Sequence, residues 1–289
     1  MLHLKETPAF FKRVLNFIIY YLPSKKDNLF QSALKIIFIF SLVSAIIVTS
    51  LFVGYFSHGK RQQKIMGENE TVWNNAVSKN DDGVYDTFKK QNPDFKAWLK
   101  VGTGVISYPV YQTDNNSFYK NHNFKKQNSR YGALFFDKDC NLKENDFNLL
   151  IYGNNMTDGS MFTKLEEYRK LEFFKQHNTI LLAFPKEKIA YKVVSAFIYK
   201  EEKAFNIFTQ YIETEQEFSI WSEKIKNLSF INTDTDLKFG DTFLTLITDS
   251  NDINGAKNVV IARKIRAFET SYTDTSNFTV NRNRELPNK

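Results

Sequence analysis

Cysteine is nearly absent from this chain: Cys140 is the single one in 289 residues. No intramolecular disulfide can form, so a small core stapled by bridges is excluded and the fold must rest on packing alone. Histidine is scarce as well. Apart from His3 near the start and the juxtamembrane His58, the only histidines are His122 and His177, each read as a packing or loop residue. No metal centre or cofactor is expected. The chain also lacks a dense basic block, although its formal net charge is +7. Much of the excess sits before residue 60, where Lys5, Lys12, Arg13, Lys25, Lys26 and Lys35 face only Glu6 and Asp27. The remainder is close to neutral, which argues against a nucleic-acid partner.

One long apolar run is present. Ile36 to Phe56 contains no charged residue and is long enough to cross a hydrocarbon core of about 30 Å as a helix. A cleaved signal peptide would carry an apolar region of roughly 7–15 residues ending at small residues. This run instead ends in Phe52, Val53, Gly54, Tyr55 and Phe56, which favours an uncleaved signal-anchor. The basic residues before it place the N-terminus in the cytoplasm, with Lys60, Arg61 and Lys64 on the far side weakening the asymmetry. Phe10, Phe11, Val14, Leu15, Ile18 and Ile19 recur at helical spacing, with Lys12 and Arg13 between them. That pattern fits an amphipathic helix on the inner leaflet or a cytosolic helix packed on a partner.

The organisation expected is a cytoplasmic segment over 1–35, a transmembrane span over 36–56, and a helical juxtamembrane linker over 57–84. A folded domain follows over 85–268, then a polar tail over 269–289 read as disordered. The linker has apolar stripes at Val72, Trp73 and Val77 and at Val84, Tyr85 and Phe88, with a loop around Lys79 to Gly83. Pro93 ends the helical part. An ordered stretch begins over 95–101, and short β-rich runs follow: 105–111 with Pro109 suited to an edge strand, 132–136, 147–151, 179–184, 189–198, 242–248 and 259–265. Many short runs between polar turns indicate a closed or sandwiched β architecture. Phe218, Trp221, Ile225 and Leu228 step by three or four and predict a helix inserted between strands. A further helix is expected from Phe162 to Phe174.

The stretch Ile151-Tyr152-Gly153-Asn154-Asn155-Met156-Thr157-Asp158-Gly159-Ser160-Met161-Phe162 joins a strand to a helix through a tight polar turn, a common place to mount a reacting side chain. It resembles the Tyr-Gly-His-Asn-Met-x-Asp-Gly-Ser-Met-Phe signature of class B sortases, the membrane-anchored cysteine transpeptidases of Gram-positive bacteria. Asn92-Pro93-Asp94-Phe95-Lys96-Ala97-Trp98-Leu99 resembles the family's entry motif, with Ala97 in place of glycine. Tyr108-Pro109-Val110, Phe118-Tyr119-Lys120-Asn121-His122 and Gly132-Ala133-Leu134-Phe135 match in order and spacing. The resemblance runs from about Tyr85 to Ala267. It implies a mainly-β fold: a sortase-type eight-stranded β-barrel with N-terminal helices and an inserted helix, preceded by one transmembrane helix.

The resemblance also implies three reacting positions, and all three are substituted. The family's histidine position holds Asn154. Its cysteine position, at the end of Thr245-Leu246-Ile247-Thr248-Asp249, holds Asp249. Its arginine position, before Val259-Val260, holds Lys257, with Arg263 nearby but inside the strand pattern. An amide has no proton to exchange near neutrality. A carboxylate is a poor nucleophile toward an amide. Lys257 keeps the charge but loses the planar fork that an arginine offers. Ser250 is turned to the opposite face by the strand period and lacks a histidine base. Cys140 lies upstream of the signature strand and reads as a bystander thiol. The segment from Asp249 to Gly255 is rich in oxygen ligands but misses the EF-hand register and reads as a polar loop. An ion pair between Asp249 and Lys257 would hold the old site's shape. Thr248 and Asn155, beside two of the substituted positions, are candidate substrate-binding residues.

These residues lead to an expectation of a sortase-like pseudoenzyme in the plasma membrane with its barrel outside the cell. It would bind a sorting-signal peptide, a pilin or another surface protein, or scaffold an active sortase. The alternative is an active transpeptidase working through an unusual site.

Overall fold

A computed structural model describes residues 13, 16, 17, 19–79, 81, 83–142, 146–201, 205–270 and 273–287. The chain divides into two compact units, Met1–Lys64 and Ile65–Lys289.

The apolar run lies in helix α1, Leu29–Ser78. Asn28 and Gln31 begin it with a reciprocal cap, each side-chain oxygen accepting from the other's backbone N–H at 2.8 and 3.2 Å, which satisfies donors that a helix start leaves orphaned. The helix has the length and composition to cross a membrane, and its apolar side chains Ile36, Ile37, Phe40, Ile46, Ile47, Leu51, Phe52 and Val53 are exposed. Of the apolar positions assigned to an amphipathic helix before it, Phe10, Phe11, Val14, Leu15 and Ile18 lie outside the described residues.

The second unit reaches further toward the N-terminus than the boundary expected at residue 85. Trp73, near the end of α1, stacks on Trp98 with ring centroids 4.7 Å apart and planes 4° from parallel. Ala76, Val84, Tyr85 and Phe88 join them in one buried cluster with Phe95 and Tyr111. Asp81 accepts from Gly83 N at 2.9 Å where α2, Gly83–Gln91, begins.

Eight strands then close a barrel: β1 Phe95–Val101, β2 Ile106–Tyr111, β3 Leu134–Phe136, β4 Asn148–Tyr152, β5 Thr179–Ala183, β6 Lys188–Lys200, β8 Phe243–Asp249 and β9 Ala256–Lys264. Around the barrel the order is β1-β2-β3-β4-β8-β9-β6-β5. Pro109 occupies a locally open edge, because β3 pairs only with Val110 and Tyr111 of β2. Leu99, Val101, Val110, Leu134, Ile151, Ile180, Leu182, Leu244, Leu246, Val260 and Ala262 fill the interior. Between β2 and β3 lies the short helix α3, Phe118–Asn121.

The helix expected from Phe162 to Phe174 is instead two pieces, a 3₁₀ helix over Thr163–Arg169 and α4 over Leu171–Gln176. Lys170 between them is extended, with φ −94° and ψ 125°. Leu165 and Tyr168 are both buried, and their three-residue spacing matches the three residues per turn of a 3₁₀ helix. The inserted helix α5, Glu215–Leu228, buries Phe218, Trp221, Ile225 and Leu228. A Thr214–Glu217 capping box starts it, and Trp221 Nε1 donates to Ile207 O at 3.0 Å.

The tail expected to be disordered is ordered over its described part. Strand β10, Thr279–Val280, pairs with β7, Ile231–Asn232. Phe278 is 4% exposed and meets Phe174 at 5.8 Å. The Arg284 guanidinium lies 4.6 Å over the Phe230 ring, and Lys224 pairs with Glu285 at 2.6 Å. The polar composition of this segment hides one aromatic anchor, and burying it offsets the ordering cost of its neighbours.

Candidate functional site

Strand β4 delivers the signature turn. Gly153 N donates to Ile247 O at 3.1 Å, and a Cβ at Gly153 would run into the Leu134 and Phe162 side chains. Only glycine lets the chain pass this close. The loop beyond is closed on itself by an Asn155–Met161 bridge. Thr163 Oγ1 donates to Met156 O and accepts from Met156 N, both at 2.7 Å. Asp158 holds Ser160 and receives Tyr131 OH at 2.6 Å.

Asn154 is fully engaged as a structural amide. Its Nδ2 donates to Lys120 O at 2.8 Å and to Arg130 O at 3.0 Å, tying the turn to the segment after α3. That segment passes through Gly132, whose φ of +61° and closeness to the Tyr119 carbonyl leave no place for a side chain.

Asp249 and Lys257 are directly opposite in the antiparallel β8–β9 ladder. The Lys257 ammonium donates to the Asp249 carboxylate, forming the ion pair anticipated between them. The Asp249 side chain is 63% exposed and that of Lys257 34%. An ion pair this accessible is worth about 0–1 kcal/mol. Strand alternation puts Thr248 on the other face of β8, where it is 2% exposed and its hydroxyl has no hydrogen-bond partner.

Beneath that face sits a residue with no sequence motif to announce it. Glu166 of the 3₁₀ helix accepts from Asn155 Nδ2 at 2.5 Å, Asn251 Nδ2 at 3.3 Å and Asn258 Nδ2 at 3.4 Å. Asn155 Nδ2 also donates to Asp249 O at 2.9 Å. Arg169, one 3₁₀ turn on, pairs with Asp252 at 2.7 Å. The loop between β8 and β9 is therefore fastened to the 3₁₀ helix through its carbonyls, amides and one carboxylate.

Lys120, Phe135, Tyr152, Asn154, Ile247, Asp249 and Lys257 surround a hollow of about 10 Å³. A single water needs roughly 10–15 Å³, so the hollow has room for about one water. A cavity of about 1030 Å³ opens instead beside Phe184 and Glu187. These residues flank the end of β6 remote from Tyr199, the partner of Lys257.

The remaining nucleophile and charge candidates lie elsewhere. Cys140 is buried; its sulfur accepts from Leu150 N at 3.3 Å. Burial pushes its thiol up to about 12, the reverse of what a nucleophilic cysteine requires. Arg263 pairs across β9 with Phe243, at the opposite end of β8 from Asp249. Six residues of strand put it about 20 Å from Lys257. Its guanidinium is bound to both Glu269 carboxylate oxygens at 3.0 Å. His122 stacks on Phe118 at 4.2 Å, and His177 packs against Gly102 and Phe173.

This barrel has counterparts among known proteins. Sortase B of Staphylococcus aureus is 30% identical over 182 residues, covering 63% of this chain and 74% of the relative. Sortase B of Listeria monocytogenes is 30% identical over 222 residues, covering 72% of this chain and 88% of the relative. A Staphylococcus aureus sortase B–substrate complex superposes with a TM-score of 0.66 at 26% identity, over 72% of this chain and 98% of that one. No family model matches. The chain belongs to the sortase B family.

Proposed function

We propose that this sortase B homologue is a non-catalytic, single-pass membrane protein. In this reading its N-terminus is cytoplasmic, and its barrel outside the cell binds a surface-protein or pilin segment at the former catalytic end. The observation that carries the reading is the state of the three reacting positions. The Asn154 amide is committed to two backbone carbonyls, and Asp249 is closed onto Lys257. None of the three offers a thiolate, an imidazole or a guanidinium fork, and Cys140 and Arg263 are spent in packing and pairing elsewhere. The exposed apolar stretch of α1 supports the anchored topology. The superposition on a Staphylococcus aureus sortase B–substrate complex supports a substrate-binding role for this barrel.

The test is turnover of a panel of fluorogenic sorting-signal peptides by the full chain in lipid nanodiscs. A variant carrying Asn154→His, Asp249→Cys and Lys257→Arg runs alongside. The natural chain is expected to be silent. Turnover by it would overturn the reading, and turnover by the variant alone would locate the loss in these three side chains. Silence from both would favour a scaffolding role over peptide capture.

A further inference from the structure

We propose that Asp249 is a tethered occupant of a carboxylate-binding site, and that this site takes a peptide ending in a free C-terminal carboxylate. The inference rests on the non-catalytic reading above. Two lysines, Lys120 and Lys257, line the hollow against one carboxylate, and that carboxylate is supplied by the chain itself. With the ion pair closed, the hollow of about 10 Å³ admits no ligand. Anything that binds here must displace the Asp249 side chain.

Displacement is cheap for two structural reasons. The ion pair is exposed, and such pairs contribute little because water competes for both partners. The backbone beneath is held without the carboxylate: Asp249 O accepts from Asn155 Nδ2 at 2.9 Å. Asn251 on Glu166 and Asp252 on Arg169 pin the following loop. The Asp249 carboxylate can therefore swing outward while β8 stays in register. An incoming carboxylate restores to Lys257 the charge that leaves and gains Lys120 at the rim. Phe135, Tyr152 and Ile247 give the terminal side chain an apolar wall. An amide-capped peptide has no charge to exchange and is not taken. The ligand class is that of an already cleaved or mature chain end, whereas an internal segment awaiting cleavage has no such terminus.

The experiment uses the full chain in nanodiscs and fluorescence polarisation. The probes are an equimolar pool of N-terminally fluorescein-tagged hexapeptides with free C-termini and the same pool amidated. If Asp249 occupies the site about four-fifths of the time, Asp249→Ala tightens binding of the acid pool roughly fivefold. The amide pool is unaffected, and Lys257→Met abolishes the preference for acid over amide. Circular dichroism establishes that both variants are folded, as removal of an exposed pair allows. Equal binding of the two pools by Asp249→Ala, or binding of neither, overturns the proposal. Mass spectrometry of the recovered peptides reads the underlying reading separately. Cleaved peptides would sink the non-catalytic assignment, whereas intact peptides without acid preference would sink only the carboxylate site.

Discussion

Lys257 stands opposite Asp249 across the β8–β9 ladder, its ammonium against the aspartate carboxylate. In the proposed reading these stand at the family's arginine and cysteine positions, and here they neutralise each other. The substitutions form a matched pair, with Asn154 beside them held by backbone carbonyls.

Exposed and buried ion pairs in this barrel are expected to differ in weight. Lys257→Met removes a pair open to water and is expected to shift stability by less than about 1 kcal/mol. Arg263→Met leaves Glu269 facing a site where the guanidinium was 2% exposed, and losing one partner of a buried pair costs about 3–5 kcal/mol. Urea denaturation of the two variants measures the contrast, and equal losses would contradict the burial assigned to each.

Cys140 is expected to be inert in the native protein. Its thiol is raised to about 12, first by burial and then by the nearby Asp137 and Asp146 carboxylates. A raised thiol keeps its proton at pH 8, so little thiolate is available. Native protein at that pH is expected to resist iodoacetamide and to react fully once unfolded in guanidinium. Rapid native alkylation would show an accessible thiolate and reopen Cys140 as a nucleophile.

Two aromatic anchors are expected to matter far more than their surroundings indicate. Trp73→Ala empties the face of Trp98, and Phe278→Ala empties the contact with Phe174. Each is expected to cost about 3–5 kcal/mol. Limited proteolysis discriminates further: Phe278→Ala should expose the tail to cleavage while leaving the barrel intact.

Glycine positions with similar backbone but different surroundings separate strain from crowding. Gly132 (φ +61°) and Gly240 (φ +92°) both carry left-handed backbone, yet only Gly132 has backbone against its missing side chain. Gly240→Ala is expected to cost about 1 kcal/mol or somewhat more from conformation alone. Gly132→Ala adds displacement of the Tyr119 carbonyl and of the Asn154 amide, so its loss of thermal stability should be distinctly larger.

Much of the fold was legible in the residues. The apolar runs anticipated seven of the eight barrel strands to within a few residues, and β1 only as an ordered stretch. The stripe of Phe218, Trp221, Ile225 and Leu228 anticipated α5. Periodicity of that kind is local, since it follows from which face of a segment is buried. The 3₁₀ piece over Thr163–Arg169 was not legible as such, because three- and four-residue spacings overlap in a short segment. The tail was misjudged for a similar reason: composition averages over residues, whereas docking depends on one, Phe278.

The site divides in the same way. The sequence by itself determined which side chains stand in and around the signature, and the proposal of a non-catalytic site starts from Asn154, Asp249 and Lys257. Tertiary structure alone decided what those residues do instead. Asn154 meets Lys120 O from 34 residues away, and Glu166 meets Asn258 across 92. Barrel closure and strand register bring such groups together, and no local pattern records either. The small hollow follows from the same register, which sets Asp249 and Lys257 side by side on one face and turns Thr248 to the other.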